Sequence, residues 1–321
     1  MRKLPWPFCL LLALLVCASS ALAQNYPTRS IRLVIPSSPG GSSDILGRIL
    51  GQKLSEALGQ QVVVDNRAGA SGVIGVDIVA KSAPDGYTLV LTQTSLAINP
   101  SMMAKLPYDA LRDLAPISEI VTTGSVLVLH PSVPAKTVKE LIALAKARPG
   151  QLVIGSSGLG TQPHLAAELF KYMTRVDMPQ VLYKGAGQAV ISLLSGEVAV
   201  QFPNVPTVLQ YIKAARLRAL GVTTLNRIPI LPDVPPIAAT LPGYEASQFF
   251  GVLTRAGTPR PIIERLNQEI VRALRAPEMK ERLIAEGTEV IASTPEEFAS
   301  LIKAETEKWA RVIKAAGINP E

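Results

Sequence analysis

The chain lacks cysteine everywhere except near its N-terminus. Cys9 and Cys17 are its only cysteines, and both lie in a segment that we predict is removed. The remaining chain therefore has no thiol for a disulfide or for thiolate chemistry, and its stability must come from its core. Histidine is also scarce, with 2 residues in 321, so no metal cluster and no cofactor are expected. Aromatic residues make up 5% and do not interleave with a basic run, which argues against nucleic-acid binding.

Long apolar runs are missing too, apart from one at residues 8–18. Its 11 residues are too few for a membrane-spanning helix, which needs roughly 20. Two basic residues precede this run and Ala21-Leu22-Ala23 follows it, which is typical of a secretory signal peptide. We predict a signal peptide over residues 1–23, cleaved after Ala23, and a mature protein in the periplasm. An uncleaved anchor and lipidation at Cys17 are the alternatives.

Charged residues are dispersed along the chain. The formal net charge is +7, and it falls to +5 without Arg2 and Lys3. We interpret this charge as a solvated surface; a weak field that attracts anionic solutes is the alternative. The length that remains after cleavage is sufficient for two lobes.

Strand-like and helix-like runs alternate, which predicts sheets of parallel strands covered by helices. Two glycine- and hydroxyl-rich turns, at residues 36–44 and 155–164, each follow a strand-like run and precede an amphipathic one. Their similarity favours two lobes over one doubly wound sheet, with chain crossings near residues 121–126 and 221–224. Thr294 and Glu297 predict a capping box for a last helix over residues 295–316. The predicted strands are residues 31–36, 61–65, 87–92, 125–130, 152–154, 181–183, 198–202, 217–222 and 249–254.

The first turn opens a helix, and a helix N-terminus binds anions through its unpaired N–H groups and partial positive charge. We therefore predict that Gly40, Gly41 and Ser42 hold one carboxylate of a ligand. An ordinary tight turn with an N-cap is the alternative. Asp44 lies in the first turn of the helix, where it either orients the loop or binds a donor group of the ligand.

The second turn predicts a second anion-binding cradle, formed by Ser156, Ser157, Gly160 and Thr161. His164 follows in the same helix and is a further candidate, with a packed or capping histidine as the alternative. Because ligands of open parallel sheets lie at the carboxyl ends of the strands, we expect the two cradles to face each other across a cleft.

Polar residues at other strand ends complete the candidate site. Thr92 and Thr94 end a strand beside the first turn. Lys184 could pair with a distal carboxylate, although a solvated lysine is the alternative. Asn204 ends a strand and could bridge the lobes through water.

The chain contains a series of different short motifs, in this order: Pro39-Gly40-Gly41-x-x-Asp44, Asn66-Arg67-x-Gly69-Ala70, Ala83-Pro84-Asp85-Gly86-Tyr87-Thr88-Leu89, Ala97-Ile98-Asn99-Pro100, Leu106-Pro107-Tyr108-Asp109, His130-Pro131-Ser132-Val133-Pro134, Gly155-Ser156-Ser157-Gly158-x-Gly160-Thr161, Tyr183-Lys184-Gly185, Leu231-Pro232-Asp233-Val234-Pro235 and Ala256-Gly257-Thr258-Pro259. In this order and spacing the chain resembles the periplasmic solute receptors of tripartite tricarboxylate transporters, also called Bug proteins. The resemblance implies an α/β chain with the type II periplasmic binding protein fold: two lobes with mixed, mostly parallel sheets and a ligand cleft between them. We place lobe 1 at residues 24–124 plus 223–321 and lobe 2 at residues 125–222.

The resemblance also implies carboxylate ligands held by backbone amides, hydroxyls and bridging waters. The family usually has an aromatic residue and a proline where Ser37 and Ser38 stand, so these serines make a smaller, more polar wall. We include both among the ligand-binding candidates. Pro203 replaces a common aspartate and removes both an acceptor and a backbone donor. A relative's ligand is therefore not carried over to this chain.

Enzyme motifs are missing. The turn at Gly155 does not fit the Gly-x-Ser-x-Gly pattern of serine hydrolases, and no G-x-G-x-x-G or Walker lysine is present. With these motifs missing, the two anion-binding turns and the resemblance together imply a monomeric, non-enzymatic receptor that captures a di- or tricarboxylate, an aromatic acid or an acidic amino acid. Its partners would be the inner-membrane subunits of a tripartite tricarboxylate transporter. A ligand-dependent partner of a periplasmic sensor in signalling is the alternative.

Overall fold

The chain forms two lobes, each built on one mixed sheet, in a computed structural model that describes residues 26–40, 42–183, 185–285 and 287–318. The predicted signal peptide, with Cys9 and Cys17, lies outside the described residues. Within those ranges, no helix combines the length and apolar character that crossing a membrane requires.

The strands are β1 (Ile31–Ile35), β2 (Val62–Asn66), β3 (Thr88–Gln93), β4 (Leu114–Thr123), β5 (Val126–Leu129), β6 (Ile154–Ser156), β7 (Gln180–Leu182), β8 (Val200–Gln201), β9 (Arg218–Val222), β10 (Gln248–Arg255) and β11 (Thr288–Val290). The helices are α1 (Ser42–Leu58), α2 (Val73–Ala80), α3 (Ser95–Met102), α4 (Ala110–Asp113), α5 (Val138–Ala147), α6 (Gln162–Thr174), α7 (Ala186–Leu194), α8 (Val205–Lys213), α9 (Arg260–Arg275), α10 (Pro277–Ala285) and α11 (Pro295–Ala315).

The first lobe has a six-stranded sheet in the order β11-β4-β10-β3-β1-β2, and the second a five-stranded sheet in the order β7-β6-β8-β5-β9. Mixed sheets were expected and are confirmed, but parallel pairs do not predominate. β1 runs parallel to β2 and β3, and β6 to β7 and β8. β10 is antiparallel to β3 and β4, β11 to β4, and β5 to β8 and β9. Strand β4 of the first sheet leads into β5 of the second across residues 124–125, without the crossover helix that a parallel connection within one sheet needs.

Strand β1 is buried on both faces, as expected for a strand that pairs in parallel on both sides. Ile31, Leu33 and Ile35 pack into the cluster on one face of the first sheet, and Val34 packs into the cluster on the other. All four side chains are 0% exposed. This burial fixes the position of the turn that follows β1.

The chain passes between the lobes at two adjacent places. Strand β4 ends at Thr123 and β5 begins at Val126, while the return path leaves β9 through Thr223. Thr223 N donates to Ser125 O at 2.9 Å, and Ser125 N donates to Thr223 Oγ1 at 2.8 Å. Ala246 N donates in turn to Thr223 O at 3.0 Å. The predicted crossings thus form one hydrogen-bonded link between the lobes.

Helix α11 packs on both lobes. Phe298 and Ile302 belong to a core cluster of the first lobe, whereas Trp309 and Val312 belong to the core of the second. The expected lobe boundaries assign all of this helix to lobe 1, but its C-terminal half is buried against lobe 2. The apolar residues at the end of α11 continue at helical spacing, so the helix has an apolar face for each lobe.

Candidate functional site

A cleft of about 490 Å³ lies between the two lobes. Its first wall includes four predicted site residues, Ser37, Ser38, Thr92 and Thr94, from the turn after β1 and the end of β3. The carboxyl ends of β1, β2 and β3 meet at this edge, as the parallel arrangement requires.

The opposite wall comes from the second lobe. It includes the predicted site residues Ser156, Ser157, Gly160, Thr161 and Asn204. These residues lie at or after the ends of β6 and β8, which are parallel neighbours in the second sheet. The two glycine-rich turns of the sequence therefore contribute to facing walls of one cleft.

The cleft wall is uncharged. None of the described residues that line it is an aspartate, glutamate, lysine, arginine or histidine. Its polar groups are serine and threonine hydroxyls, side-chain amides and the backbone of glycine-rich turns. Lys184 and Gly41, two of the predicted site residues, lie outside the described part of the chain.

Several helices begin at this cleft. The N-caps of α2, α3, α6 and α8 are Gly72, Thr94, Thr161 and Asn204, and each of these residues lines the cleft. Ala186, the first residue of α7, lines it as well. The first N–H groups of a helix have no partner within the helix and carry partial positive charge. The cleft is thus surrounded by hydrogen-bond donors with a positive potential, although no cationic side chain from the described residues lines it.

The start of α1 differs from this pattern. Gly40 N donates to Asp44 Oδ2 at 2.8 Å, and Arg48 Nη2 lies 3.0 Å from Asp44 Oδ1. The hydrogen bonds from Arg48 and Gly40 lower the pKa of Asp44, which is 3% exposed. Gly40, Ser42 and Asp44 do not line the main cleft, and Ser42 lines a smaller cavity instead. The Gly40 N–H is therefore engaged by a side chain of its own helix.

The start of α6 uses a comparable contact. Gly160 N donates to His164 Nδ1 at 3.2 Å, while Thr161 Oγ1 donates to Gly158 O at 2.8 Å and accepts from His164 N at 3.4 Å. Burial, reinforced by the charge of Lys171, lowers the pKa of His164 to about 4. The ring is neutral at pH 7, so Nδ1 can accept. His164 lies behind the turn and does not line the cleft.

The serine hydroxyls of the two walls differ in their partners. Ser156 Oγ accepts a hydrogen bond from Gln180 Nε2, and Ser157 Oγ lies 3.4 Å from Thr161 Oγ1. Ser37 Oγ is buried and has no hydrogen-bond partner among the described residues. An unpaired buried hydroxyl is costly, so a ligand that forms a hydrogen bond with Ser37 would remove this cost.

Two glutamines join β3 and β10 at the base of the first wall. Gln93 Oε1 accepts from Gln248 Nε2 at 2.8 Å and from Ser43 Oγ at 3.4 Å. Phe249 N donates to Thr94 Oγ1 at 2.9 Å. Because β10 follows the return crossing from the second lobe, these contacts anchor the wall to the link between the lobes.

The second wall is tied to the same link. Ser125 Oγ lies 2.6 Å from Gln162 Oε1 and 3.2 Å from Asn204 Oδ1, and Gln162 Nε2 donates to Ala246 O. Gln162 and Asn204 both line the cleft. Movement at the crossing segments would therefore be transmitted to residues that face the cleft.

The turn after β2 also lines the cleft, although sequence reasoning did not include it. Gly69, Ala70, Ser71 and Gly72 all have positive φ, at 135°, 45°, 53° and 90°. Asn99 Nδ2 holds this turn by donating to Ser71 O at 3.2 Å. Left-handed non-glycine residues are uncommon and cluster at ligand-binding turns. The sequence signal that could have identified this part of the cleft is the glycine-rich turn itself, which precedes a helix as the turns at residues 36–44 and 155–164 do.

No metal centre is formed in the described ranges: no group of three or more histidine, cysteine, aspartate or glutamate side chains there is placed to hold a metal ion. The described residues around the cavity provide uncharged hydrogen-bond donors.

Comparison with known proteins gives consistent matches along the chain. The family model described as "Tripartite tricarboxylate transporter family receptor" matches residues 46–318. Protein BugT of Bordetella pertussis is 41% identical over 303 residues, which cover 94% of this chain and 93% of that protein. The structure of R. palustris Rpa4515 with adipate is 36% identical with a TM-score of 0.75, covering 92% of this chain and 100% of that one. The structure of MatC from Rhodopseudomonas palustris with bound malate is 26% identical with a TM-score of 0.71, covering 90% and 100%.

Proposed function

Because the chain belongs to the tripartite tricarboxylate transporter receptor family, we propose that it captures a small organic carboxylate between its lobes and delivers it to a transporter of that class. Receptors of this family bind substrates and do not transform them, and we propose no catalysis here. They act in the periplasm, which this chain would reach with a signal peptide cleaved after Ala23. We propose that it acts as a monomer with the transporter's inner-membrane subunits as its partners.

The uncharged cleft ringed by helix N-termini is the observation that carries this proposal. A carboxylate presents only acceptors, and the described residues of the cleft wall offer N–H groups, hydroxyls and side-chain amides, with no carboxylate among them that would repel it. Two relatives support the ligand class, since Rpa4515 was solved with adipate and MatC with bound malate. Both ligands are dicarboxylates.

Affinity at the micromolar level requires about −8 kcal/mol. One helix terminus contributes about 1 kcal/mol at most at an exposed site, so the termini need direct hydrogen bonds to supplement them. Hydrogen bonds to a charged group are about twice as strong as neutral ones. Closure of the lobes by a hinge motion would exclude water and bring both walls onto the ligand.

We propose different roles for the candidate residues. Ser37, Ser38, Thr92 and Thr94 would contact the ligand from the first wall. On the second wall the contacts would come from Ser156, Ser157, Gly160, Thr161 and Asn204.

The remaining candidates have other proposed roles. Asp44 and His164 would hold the turns at Gly40 and Gly160, since each accepts an N–H there. For Gly41 the proposed role stays a contact with a ligand carboxylate, and Ser42 would support the first turn. A pairing of Lys184 with a distal carboxylate also remains a proposal.

A thermal-shift screen tests the proposed ligand class. Adipate, malate, aromatic acids and acidic amino acids would each be added to the purified protein. A ligand present at 100 times its Kd should stabilise the folded protein by about 2.7 kcal/mol. Stabilisation by at least one acid supports the proposal, and no response to any of them contradicts it. Deletion of the gene separates the physiological roles: loss of uptake with unchanged gene expression indicates transport, and the reverse indicates sensing.

A further inference from the structure

A second, smaller cavity of about 160 Å³ lies beside the main cleft. Ile45, Leu46 and Ile49 of α1 line one side of it, and Phe250 of β10 lines another. Pro206 of α8 closes it from the second lobe. No charged side chain from the described residues lines this cavity, and its wall is mostly apolar.

Two side chains with amide groups belong to the walls of both spaces. Asn204 and Gln248 line both the main cleft and the small cavity. Gln248 Nε2 is held by Gln93 Oε1 at 2.8 Å, and Asn204 Oδ1 lies 3.2 Å from Ser125 Oγ. The two spaces thus share a pair of uncharged polar side chains, one from each lobe.

We propose that the small cavity holds the apolar body of the ligand whose carboxylate is held in the main cleft. This inference rests on the proposed function and narrows its ligand class. The preferred ligand would be a carboxylate joined by a short spacer to one six-membered ring or a compact branched group. A straight-chain diacid would fit less well, because its second carboxylate would meet an apolar wall.

The volume and the lining both support this occupant. An engineered apolar cavity of about 150 Å³ in another protein stays dry and binds benzene, so the space available here matches one ring. A charged group moved into such a cavity loses its hydration and gains only the hydroxyl and amide groups of the few polar side chains in a mostly apolar wall, which is unfavourable. Because Asn204 and Pro206 come from the second lobe, an occupied cavity would also favour the closed arrangement of the lobes.

Titration calorimetry with two probes tests this assignment. The probes are 3-phenylpropionate, which has one carboxylate and one ring, and adipate, which is linear and has two carboxylates. The variant is Ile45→Trp, since Ile45 lines the small cavity and is 44% exposed, so a larger side chain fills the space from its rim. The matched control is Leu111→Trp, because Leu111 is 54% exposed on α4 and lines neither cavity.

We expect wild type to bind 3-phenylpropionate more tightly than adipate. Ile45→Trp should weaken 3-phenylpropionate binding at least tenfold and change adipate binding less than threefold, while Leu111→Trp changes neither. Adipate binding without 3-phenylpropionate binding, or an equal loss of both in Ile45→Trp, overturns the inference but leaves the proposed function standing. Failure of every acid in the thermal-shift screen removes the proposed function itself.

A crystal structure of wild type with 3-phenylpropionate provides a second test that does not depend on any variant. The ring should lie within van der Waals distance of Leu46 and Phe250. A ring located in the main cleft, away from these two side chains, overturns the inference.

Discussion

Replacing Ser37 by alanine should have opposite effects on the free protein and on its complex. Ser37 Oγ is buried in the wall of the cleft without a hydrogen-bond partner among the described residues. A buried hydroxyl without a partner costs about 1–3 kcal/mol. Removing it should therefore leave the ligand-free protein as stable as wild type, or more stable by about 1 kcal/mol.

Ligand binding should respond in the other direction. A serine has three staggered χ1 positions, and we expect the ligand to select one that directs the hydroxyl to its carboxylate. A hydrogen bond to a charged group contributes about 1.5–3 kcal/mol. At 1.4 kcal/mol for each factor of ten, Ser37→Ala should weaken carboxylate binding about 10- to 150-fold.

Two measurements on the same variant separate these effects. Thermal unfolding without ligand gives the first, with an expected rise in Tm of up to about 2 °C. Titration calorimetry with the best acid from the screen gives the second. Ser55→Ala is the control: Ser55 Oγ donates to Gly51 O and accepts from Val62 N, far from the cleft. Ser55→Ala should lower the stability of the protein and leave its affinity for the acid unchanged.

The reasoning is refuted if Ser37→Ala binds the acid as tightly as wild type. It is also refuted if the variant loses stability and affinity together, since that pattern would mean that Ser37 is part of the fold rather than part of the binding surface.

Two further predictions concern stability. Burial, reinforced by nearby glutamates, raises the pKa of Glu119 from 4.5 to about 8. Between these pH values the folded protein keeps a proton that the unfolded chain releases, so stability should fall with rising pH by at most about 1.4 kcal/mol per unit. In urea unfolding, the free energy of unfolding should fall less between pH 5 and pH 8 in Glu119→Gln than in wild type. An equal fall in the two proteins would contradict this prediction. Gly251→Ala should lower the free energy of unfolding by about 1–3 kcal/mol in the same assay, because the new Cβ would lie 2.1 Å from Phe298 Cζ. A urea midpoint equal to that of wild type would contradict this and show that the Phe298 ring moves freely.

Local sequence patterns predict much of this fold. The strand expected at residues 31–36 is Ile31–Ile35, and the one expected at residues 217–222 is Arg218–Val222. The capping box of α11 is confirmed, since Thr294 Oγ1 accepts from Glu297 N and Glu297 Oε2 accepts from Thr294 N. These features depend on neighbours in sequence, so the sequence alone contains the information for them.

Strands β4 and β11 were not predicted. Pro116, Ser118 and Glu119 interrupt the apolar pattern of β4, and its pairing with β10 contains register shifts. Strand β4 is held by its position between β10 and β11, which is a tertiary effect that overrides its weak local preference. Strand β11 is short and pairs only along β4, so it depends on a strand that was itself missed.

The candidate site was predictable in part. Glycine-rich turns after apolar strands identified two regions of the cleft, but their free N–H groups could not be counted from composition. Asp44 accepts the N–H of Gly40 and His164 accepts the N–H of Gly160, so each turn is engaged by the side chain four residues later. The partnership of Gln248 with Gln93 depends on the pairing of β10 with β3, across a large separation in sequence.

Titration calorimetry that compares the binding of one acid and of its primary amide to the protein tests the central claim most directly. The acid is the one that stabilises the protein most in the screen, and the amide has the same shape without the negative charge. A cleft formed by helix N-termini and hydroxyls should bind the acid at least 100-fold more tightly, because the amide lacks the charge and turns an NH₂ donor toward the donors of the wall. Equal affinity for the acid and the amide would contradict the account.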